Sequence, residues 1–254
     1  MKIRLHQFLS KSGRFKSKSD VKSAIWEGLI TVNGRVVKDI AYEFNPRKRV
    51  VTFGEETLEL PSEESYFLLN KPAGVICSRL NKQESYLGKK SVFEIFEDRV
   101  NTSTFQSLVT VGRLDEFTTG FLLVTTDGKI VHKITNPEGG IGKTYRVEVK
   151  SEIDERQAKS IREGVRISVS DGEQSENYTS KKAKLTIEGK SSVTLTIEEG
   201  RKREVKRIFE AVGNEVLSLH RTSIGGMELT DYALDEGEFC EVSLEELSSK
   251  VFGE

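Results

Sequence analysis

The sequence predicts an α+β protein in two parts, and three observations carry that prediction. Apolar residues recur with helical spacing in some stretches and alternate with strand spacing in others, without the regular strand–helix alternation of a parallel βαβ array. Adjacent β-prone runs are joined by short turns, Asn33-Gly34 in one case and Glu188-Gly189-Lys190 in another, which makes the sheet structure mainly antiparallel. The polar stretch Pro61-Ser62-Glu63-Glu64-Ser65 then separates a small first unit, residues 1–60, from a larger one, residues 66–254.

Each element has a local cause. Leu5, Phe8 and Leu9 fall on one helical face, and a second helix starts at Ser17 or Ser19, carries Val21, Ala24 and Ile25, and stops at Gly28. Leu29–Val32 and Arg35–Val37 are β-prone runs flanking Asn-Gly, whose two residues tolerate positive φ, so a hairpin is expected; Val50–Phe53 adds a strand. After the linker, the apolar run Tyr66–Leu69 opens the second unit. Strands are expected at Phe121–Val124, Tyr145–Val149, Lys184–Ile187 and Val193–Ile197, the last two as an antiparallel pair. Helices are expected from about Lys129 to Thr135, Ile153 to Arg162 and Glu204 to Ala211, the last with Val205, Ile208, Phe209 and Val212 at i, i+3, i+4, i+7 and Gly213 as its stop. Ser243-Leu244-Glu245-Glu246 fits a capping box.

Composition narrows the function classes. At 36% hydrophobic and 31% charged residues, the chain of 254 can build cores and is no disordered segment. No apolar run approaches the roughly 20 residues of a membrane span, and the first residues lack a signal-peptide pattern, so a cytoplasmic protein without a membrane partner is expected. Cys77 and Cys240 stand far apart and His6, His132 and His220 are scattered, which disfavours disulfide scaffolds and structural zinc. The formal net charge of −1 argues mildly against a nucleic-acid partner. Its distribution argues the other way: residues 1–60 hold 12 Lys/Arg against 7 Asp/Glu, or +5, and the remainder holds 27 against 33, or −6. Clustered cations are what a phosphate backbone rewards.

No phosphate-cradling Gly-rich loop, dinucleotide fingerprint, His-Glu-x-x-His or Gly-x-Ser-x-Gly elbow is present, so neither a cofactor nor a metal is expected. What stands out is Gly112-Arg113-Leu114-Asp115-Glu116-Phe117-Thr118-Thr119-Gly120, an acid beside an Arg at the mouth of an apolar strand. Taken alone, the commoner explanation of such a loop is a turn in which Asp115 caps backbone N–H groups and Arg113 pairs with it. Lys143-Thr144-Tyr145 opens a strand with cationic and phenolic groups, and five of the seven residues from Arg201 to Arg207 are cationic. That density at a helix start opposes the helix dipole, so phosphates or a buried carboxylate should compensate it, the alternative being a solvated amphipathic helix.

Two resemblances draw these features together. Residues 1–60, with two helices, the basic stretch between them and Gly28-Leu29-Ile30-Thr31-Val32-Asn33-Gly34, resemble the S4 RNA-binding domain. That resemblance implies that Lys11, Arg14, Lys16, Lys18 and Lys22 track phosphates of structured RNA without reading its sequence. Lys71-Pro72-Ala73-Gly74-Val75, the Gly112–Gly120 loop, Lys143-Thr144-Tyr145, Val205-Lys206-Arg207, Val212-Gly213-Asn214 and Leu219-His220-Arg221 with Ile224-Gly225 resemble the bacterial ribosomal RNA pseudouridine synthases of the RsuA type, and the likeness covers nearly the whole chain. It departs at Thr126, where Asn is usual, and at Arg203-Glu204, which stands where that family commonly has His-Gln.

By this resemblance the second unit has the pseudouridine synthase fold, a mixed, mainly antiparallel sheet with flanking helices, and isomerises uridine to pseudouridine in ribosomal RNA without a cofactor. Asp115 would be the essential carboxylate, Lys206 its basic partner, and Tyr145 the group against the flipped uracil. Arg113 would contact phosphate or fill the space of the extruded base, and Arg201, Arg203 and Arg207 would contact RNA. Whether Asp115 attacks sugar or base, or abstracts a sugar proton, stays open. The expected partner is rRNA, naked or in a pre-ribosomal particle, bound by a monomer. Leu219-His220-Arg221 and Ile224-Gly225-Gly226 lean toward the small-subunit rRNA. The alternatives are a large-subunit rRNA synthase, a non-catalytic ribosome-assembly factor and, more distantly, a carboxylate-based nucleoside hydrolase.

Overall fold

The computed structural model describes residues 2–15, 17–60, 63–171 and 174–254, and only the backbone of 169–171 and 174–176. Lys16 and the linker residues Pro61 and Ser62 therefore lie outside the described residues. The chain forms two compact units: Met1–Ser65 with Phe96–Val109, and Tyr66–Ile95 with Thr110–Glu254. The first unit is thus discontinuous in sequence, because a segment from within the longer part returns to it.

In the first unit, α1 (Leu5–Lys11) buries Leu5, Phe8 and Leu9, and α2 (Lys18–Trp26) buries Val21, Ala24 and Ile25. The Ser17 hydroxyl accepts from Asp20 N–H at 3.1 Å and so starts α2; Gly28, at φ +77°, lets the chain leave it. Four short strands build one sheet: β1 (Ile30–Val32), β2 (Arg35–Val36), β3 (Val51–Phe53) and β4 (Glu56–Leu58), in the order β2–β1–β3–β4, while Ile3–Arg4 and Glu43–Phe44 pair separately. Asn33 and Gly34 both take positive φ, +50° and +75°, the two-residue turn whose twist matches the hairpin. The returning segment supplies α3 (Thr102–Ser107), where the Ser107 hydroxyl donates to the Lys11 carbonyl at 3.3 Å.

The second unit is built on a mixed sheet. Its strands are β5 (Tyr66–Lys71), β6 (Thr119–Thr125), β7 (Lys143–Val149), β10 (Lys184–Ile187), β11 (Ser192–Ile197), β12 (Val216–Ile224) and β13 (Phe239–Glu241), in the order β10–β11–β7–β12–β6–β5–β13. Between β7 and β10, β8 (Arg166–Asp171) and β9 (Gln174–Thr179) form a separate antiparallel hairpin. Within the main sheet order, β6 and β12 are the one parallel pair among the described residues, with Thr119 opposite His220 and Gly120 opposite Arg221. β6 is an interior strand, flanked by β12 and β5. Its residues Gly120–Thr125 are all buried, which is why it reads as an unbroken apolar run instead of an alternating one.

Helices cover the sheet. On α4 (Gly128–Thr135), begun by Asp127 accepting from Lys129 N–H at 2.8 Å, Ile130 and Ile134 join Phe121 and Leu123 of β6 in one core cluster. α5 (Glu155–Glu163) starts in a capping box made by Asp154 and Gln157, and α6 (Glu204–Ala211) buries Val205, Ile208 and Phe209. No described helix is long and apolar enough to cross a membrane.

Candidate active site

Asp115 sits in the turn that leads into β6, and the fold holds this turn from several sides. Lys71, at the end of β5, has no exposed surface; its ammonium donates to the carbonyls of Pro72 at 2.9 Å, Glu116 at 3.1 Å and Thr118 at 2.9 Å. Gly74 N–H donates to the same Glu116 carbonyl at 2.9 Å, and the Lys89 ammonium meets the Glu116 carboxylate at 2.6 Å. Leu114 N–H points at the buried Cys77 Sγ at 3.4 Å, and Thr118 N–H closes the turn on the Asp115 carbonyl at 3.0 Å. Burial pushes the Lys71 pKa down, opposed by Cys77, Asp115 and Glu116. Burial likewise pushes the Cys77 thiol up, which keeps it a neutral wall instead of a nucleophile.

The strand behind the turn must come close to its parallel neighbour. Gly120 has φ +97°, and a Cβ there would collide with the Arg221 carbonyl oxygen of β12. Glycine is required on both counts. Arg221, buried in the sheet, donates from Nε to the Phe121 carbonyl at 2.8 Å, and on the other side Thr119 Oγ1 and His220 Nδ1 lie 2.8 Å apart.

These elements enclose a cleft of about 460 Å³, within the range of a ligand site. Asp115, Tyr145 and Lys206, the three groups singled out as chemical, all line it, and Lys206 Nζ stands 3.9 Å from Asp115 Oδ2. Asp115 comes from the β6 turn, Tyr145 from β7 and Lys206 from α6, so the sheet and one helix set their mutual positions. Arg113, Arg201 and Arg203 line the same cleft, while Arg207 lines a separate groove with Arg166, Ser168 and Glu210. Seven cationic side chains surround the cleft against three carboxylates, an electropositive basin in a unit whose sequence is acidic. Among the described residues, no group of three or more His, Cys, Asp or Glu could hold a metal ion.

The compensation expected for the basic start of α6 is a buried carboxyl pair. Glu204, in the first turn and 3% exposed, accepts from Arg201 N–H at 2.8 Å through Oε2. Its other oxygen is buried without a donor among the described residues, and Glu199, which accepts from Lys181 N–H at 2.6 Å, is its hydrogen-bonding neighbour. Burial raises the Glu204 pKa to about 7, with Glu199 adding to the rise, so a proton held between the two carboxyls supplies the missing donor. The helix start itself is strained: Arg203 takes the left-handed conformation at φ +56°. Lys143, also buried, donates to the Ile141 carbonyl at 3.0 Å, and burial lowers its pKa.

Sequence reasoning quoted Lys71, Lys143 and Arg221 within motifs but gave none of them a role, and it expected phosphates or a buried carboxylate at the start of α6 without identifying the Glu199–Glu204 pair. A lysine or arginine inside a strand pattern, Lys71 and Arg221 above all, was the available signal, since such residues are almost never fully buried unless paired. In the first unit Lys11 pairs with Glu64 at 2.9 Å and Arg14 with Glu56 at 2.7 Å, Arg14 also lying over the Phe53 ring at 4.9 Å. Lys18 and Lys22 are exposed on α2.

Residues 65–211 match the family model described as RNA pseudouridylate synthase, and residues 3–50 match the S4 domain. The chain is 33% identical over 249 residues to a protein of Haemophilus influenzae named ribosomal small subunit pseudouridine synthase A, covering 98% of this chain and 100% of that one. It is also 33% identical over 249 residues to the uncharacterized RNA pseudouridine synthase YtzG of Bacillus subtilis, covering 96% and 97%. A solved structure titled as a pseudouridylate synthase superposes with a TM-score of 0.65 at 33% identity, over 98% of this chain and 99% of that one.

Proposed function

This chain belongs to the RNA pseudouridylate synthase family and carries an S4 domain, and from that premise we propose that it converts a uridine of small-subunit ribosomal RNA to pseudouridine with Asp115 as the essential carboxylate. The observation that carries the reading is the Asp115–Lys206 pair at 3.9 Å, at a cleft that also holds Tyr145 and is rimmed by arginines.

The reaction breaks the N1–C1′ bond, turns the uracil and forms C5–C1′, while C5 loses a proton and N1 gains one. Nothing is added or removed overall. Asp115 supplies the anionic group that acts on the flipped nucleoside, and Lys206 holds that charge in place; their attraction grows as the seated base expels water from the cleft. Tyr145 packs against the uracil and stands where the C5 proton leaves. Arg113, Arg201 and Arg203 hold the phosphates on either side of the extruded nucleotide, and Arg207 extends that basic surface beyond the cleft. Residues 1–60 anchor the RNA through Lys11, Arg14, Lys16, Lys18 and Lys22, and residues 66–254 carry the chemistry. The protein works as a monomer in the cytoplasm, on rRNA that is naked or in a pre-ribosomal particle.

Asp115→Asn tests the assignment. Pseudouridine formation on a small-subunit rRNA transcript should fall by at least about 10²–10⁴-fold while RNA affinity stays within a few-fold. Turnover retained by the Asn protein would overturn the role of Asp115. Release of free uracil by the native protein would assign it to hydrolysis instead.

A further inference from the structure

One aromatic ring at the site remains unused by this chemistry. Phe117, two residues beyond Asp115 in the same turn, is 72% exposed. A lone exposed apolar side chain is ordinary on a protein surface, so exposure alone says little. What sets Phe117 apart is how its backbone is held. The carbonyls on both sides of it, those of Glu116 and Thr118, are gripped by the buried Lys71 ammonium, and Gly74 N–H takes the Glu116 carbonyl as well. Leu114 and Thr118 are buried at 6% and 2%, so the turn cannot roll to bring the ring inward without pulling them into water. The ring is therefore presented outward by a fixed frame.

Its neighbourhood suits a nucleic acid. The turn borders the cleft and its excess of cations, and Arg113 is exposed four residues before the ring. The Lys89–Glu116 contact ties the turn to the segment after the helix Lys82–Tyr86, where Tyr86 and Leu87 are 91% and 62% exposed. Flipping a uridine also leaves its neighbours in the strand without a stacking partner, and an aromatic face meets that need for any base.

We propose that Phe117 is a stacking platform for an unpaired nucleobase of the RNA next to the flipped uridine. The proposal rests on the synthase reading for the identity of the flipped base, and it adds a binding subsite outside the reacting groups. Because the turn is already ordered, the stack forms with little conformational cost, and it belongs to binding more than to the chemical step.

Four full-length proteins test it: the native chain, Phe117→Ala, Phe117→Leu and Phe117→Trp. Activity is read on a small-subunit rRNA transcript, and stacking is read by fluorescence quenching of a single-stranded oligouridylate carrying one 2-aminopurine. The stacking role predicts a KM about 5–100-fold higher for Phe117→Ala, with kcat within about twofold, recovery by Phe117→Trp and little by Phe117→Leu. It also predicts that 2-aminopurine quenching is lost in Phe117→Ala and kept in Phe117→Trp. Since the ring is exposed, thermal unfolding should be the same for all four. An unchanged KM in Phe117→Ala, equal quenching by the native and Ala proteins, or full recovery by Phe117→Leu would overturn the proposal. Absence of pseudouridine with the native protein would instead strike the synthase reading, and quenching would still decide the stack.

Discussion

The two units hold their cations in opposite ways. In the first unit, Lys18 and Lys22 stand in water, and Lys11 and Arg14 meet carboxylates in ion pairs whose members are 30–52% exposed. In the second, Lys71, Lys143 and Arg221 are at most 7% exposed and direct their donors at backbone carbonyls. Exposed cations act through a field that salt screens, and exposed pairs contribute about 0–1 kcal/mol. Buried ones act by fixing geometry, and removing one strands the acceptors it satisfied. The same residue types thus anchor a polyanion in one unit and build a rigid frame for Asp115 in the other.

The sharpest break of that contrast is Lys71→Met, which keeps the volume of the side chain and removes its three hydrogen bonds. Three carbonyls would lose the Lys71 ammonium, that of Glu116 keeping only the Gly74 N–H, for a loss of about 3 kcal/mol in urea unfolding, with turnover falling further than folding alone explains because the turn loosens. If stability and turnover both stayed near native values, Lys71 would be a passive filler and the rigid-frame half of the comparison would fail.

Glu204→Gln should have a smaller effect of opposite sign. The Glu204 carboxyl keeps its proton in the folded protein up to about pH 7, whereas the unfolded chain releases it near the ordinary value of 4.5. Between those values the folded state binds more protons than the unfolded one, so stability from this group falls as pH rises from about 4.5 to 7 and is level beyond. A glutamine can donate to Glu199 and still accept from Arg201 N–H at any pH. Glu204→Gln should therefore be about 1–2 kcal/mol more stable than the native protein at pH 8, nearly equal to it at pH 5, and flatter between. An unchanged pH slope would show that the carboxyl pair does not hold the proton.

The same contrast explains what was legible in the sequence. Helices such as α2 and α6 announce themselves through local rules, a serine before an apolar stripe or a glycine after it, and the Asn33-Gly34 hairpin is local chemistry as well. Asp115, Tyr145 and Lys206 could be singled out, with the family resemblance, because each stands in a distinctive short motif. Lys71 and Arg221 could not, because their meaning comes from partners far along the chain: Lys71 reaches Thr118 and Arg221 reaches Phe121. Glu204 has its partner Glu199 only five residues away, but the burial that raises its pKa is set by tertiary packing. Helix α3 escaped notice because Thr102–Ser107 is short and polar, with no apolar stripe; it is held by side-chain bonds such as Ser107 to Lys11. Tertiary context, which no window of sequence contains, decides such segments.

The gentlest test addresses the exposed half of the comparison. Lys18→Ala with Lys22→Ala removes two charges from the surface of α2, where neither side chain is buried, so stability should change by less than about 0.5 kcal/mol each. If both cations sit against phosphates, binding to an rRNA fragment should weaken, and the slope of log affinity against log salt should become shallower by roughly 1.4–1.8, the release of about two counterions. Turnover at saturating RNA should be unchanged, because nothing around Asp115 has moved. Against this, Arg14→Ala should shift the slope less, since its guanidinium already faces Glu56 and must give up that contact to meet a phosphate. Equal effects of Arg14 and of the α2 lysines would mean that the Glu56 pair opens freely, and that the first unit's cations work as one diffuse field instead of as individual contacts.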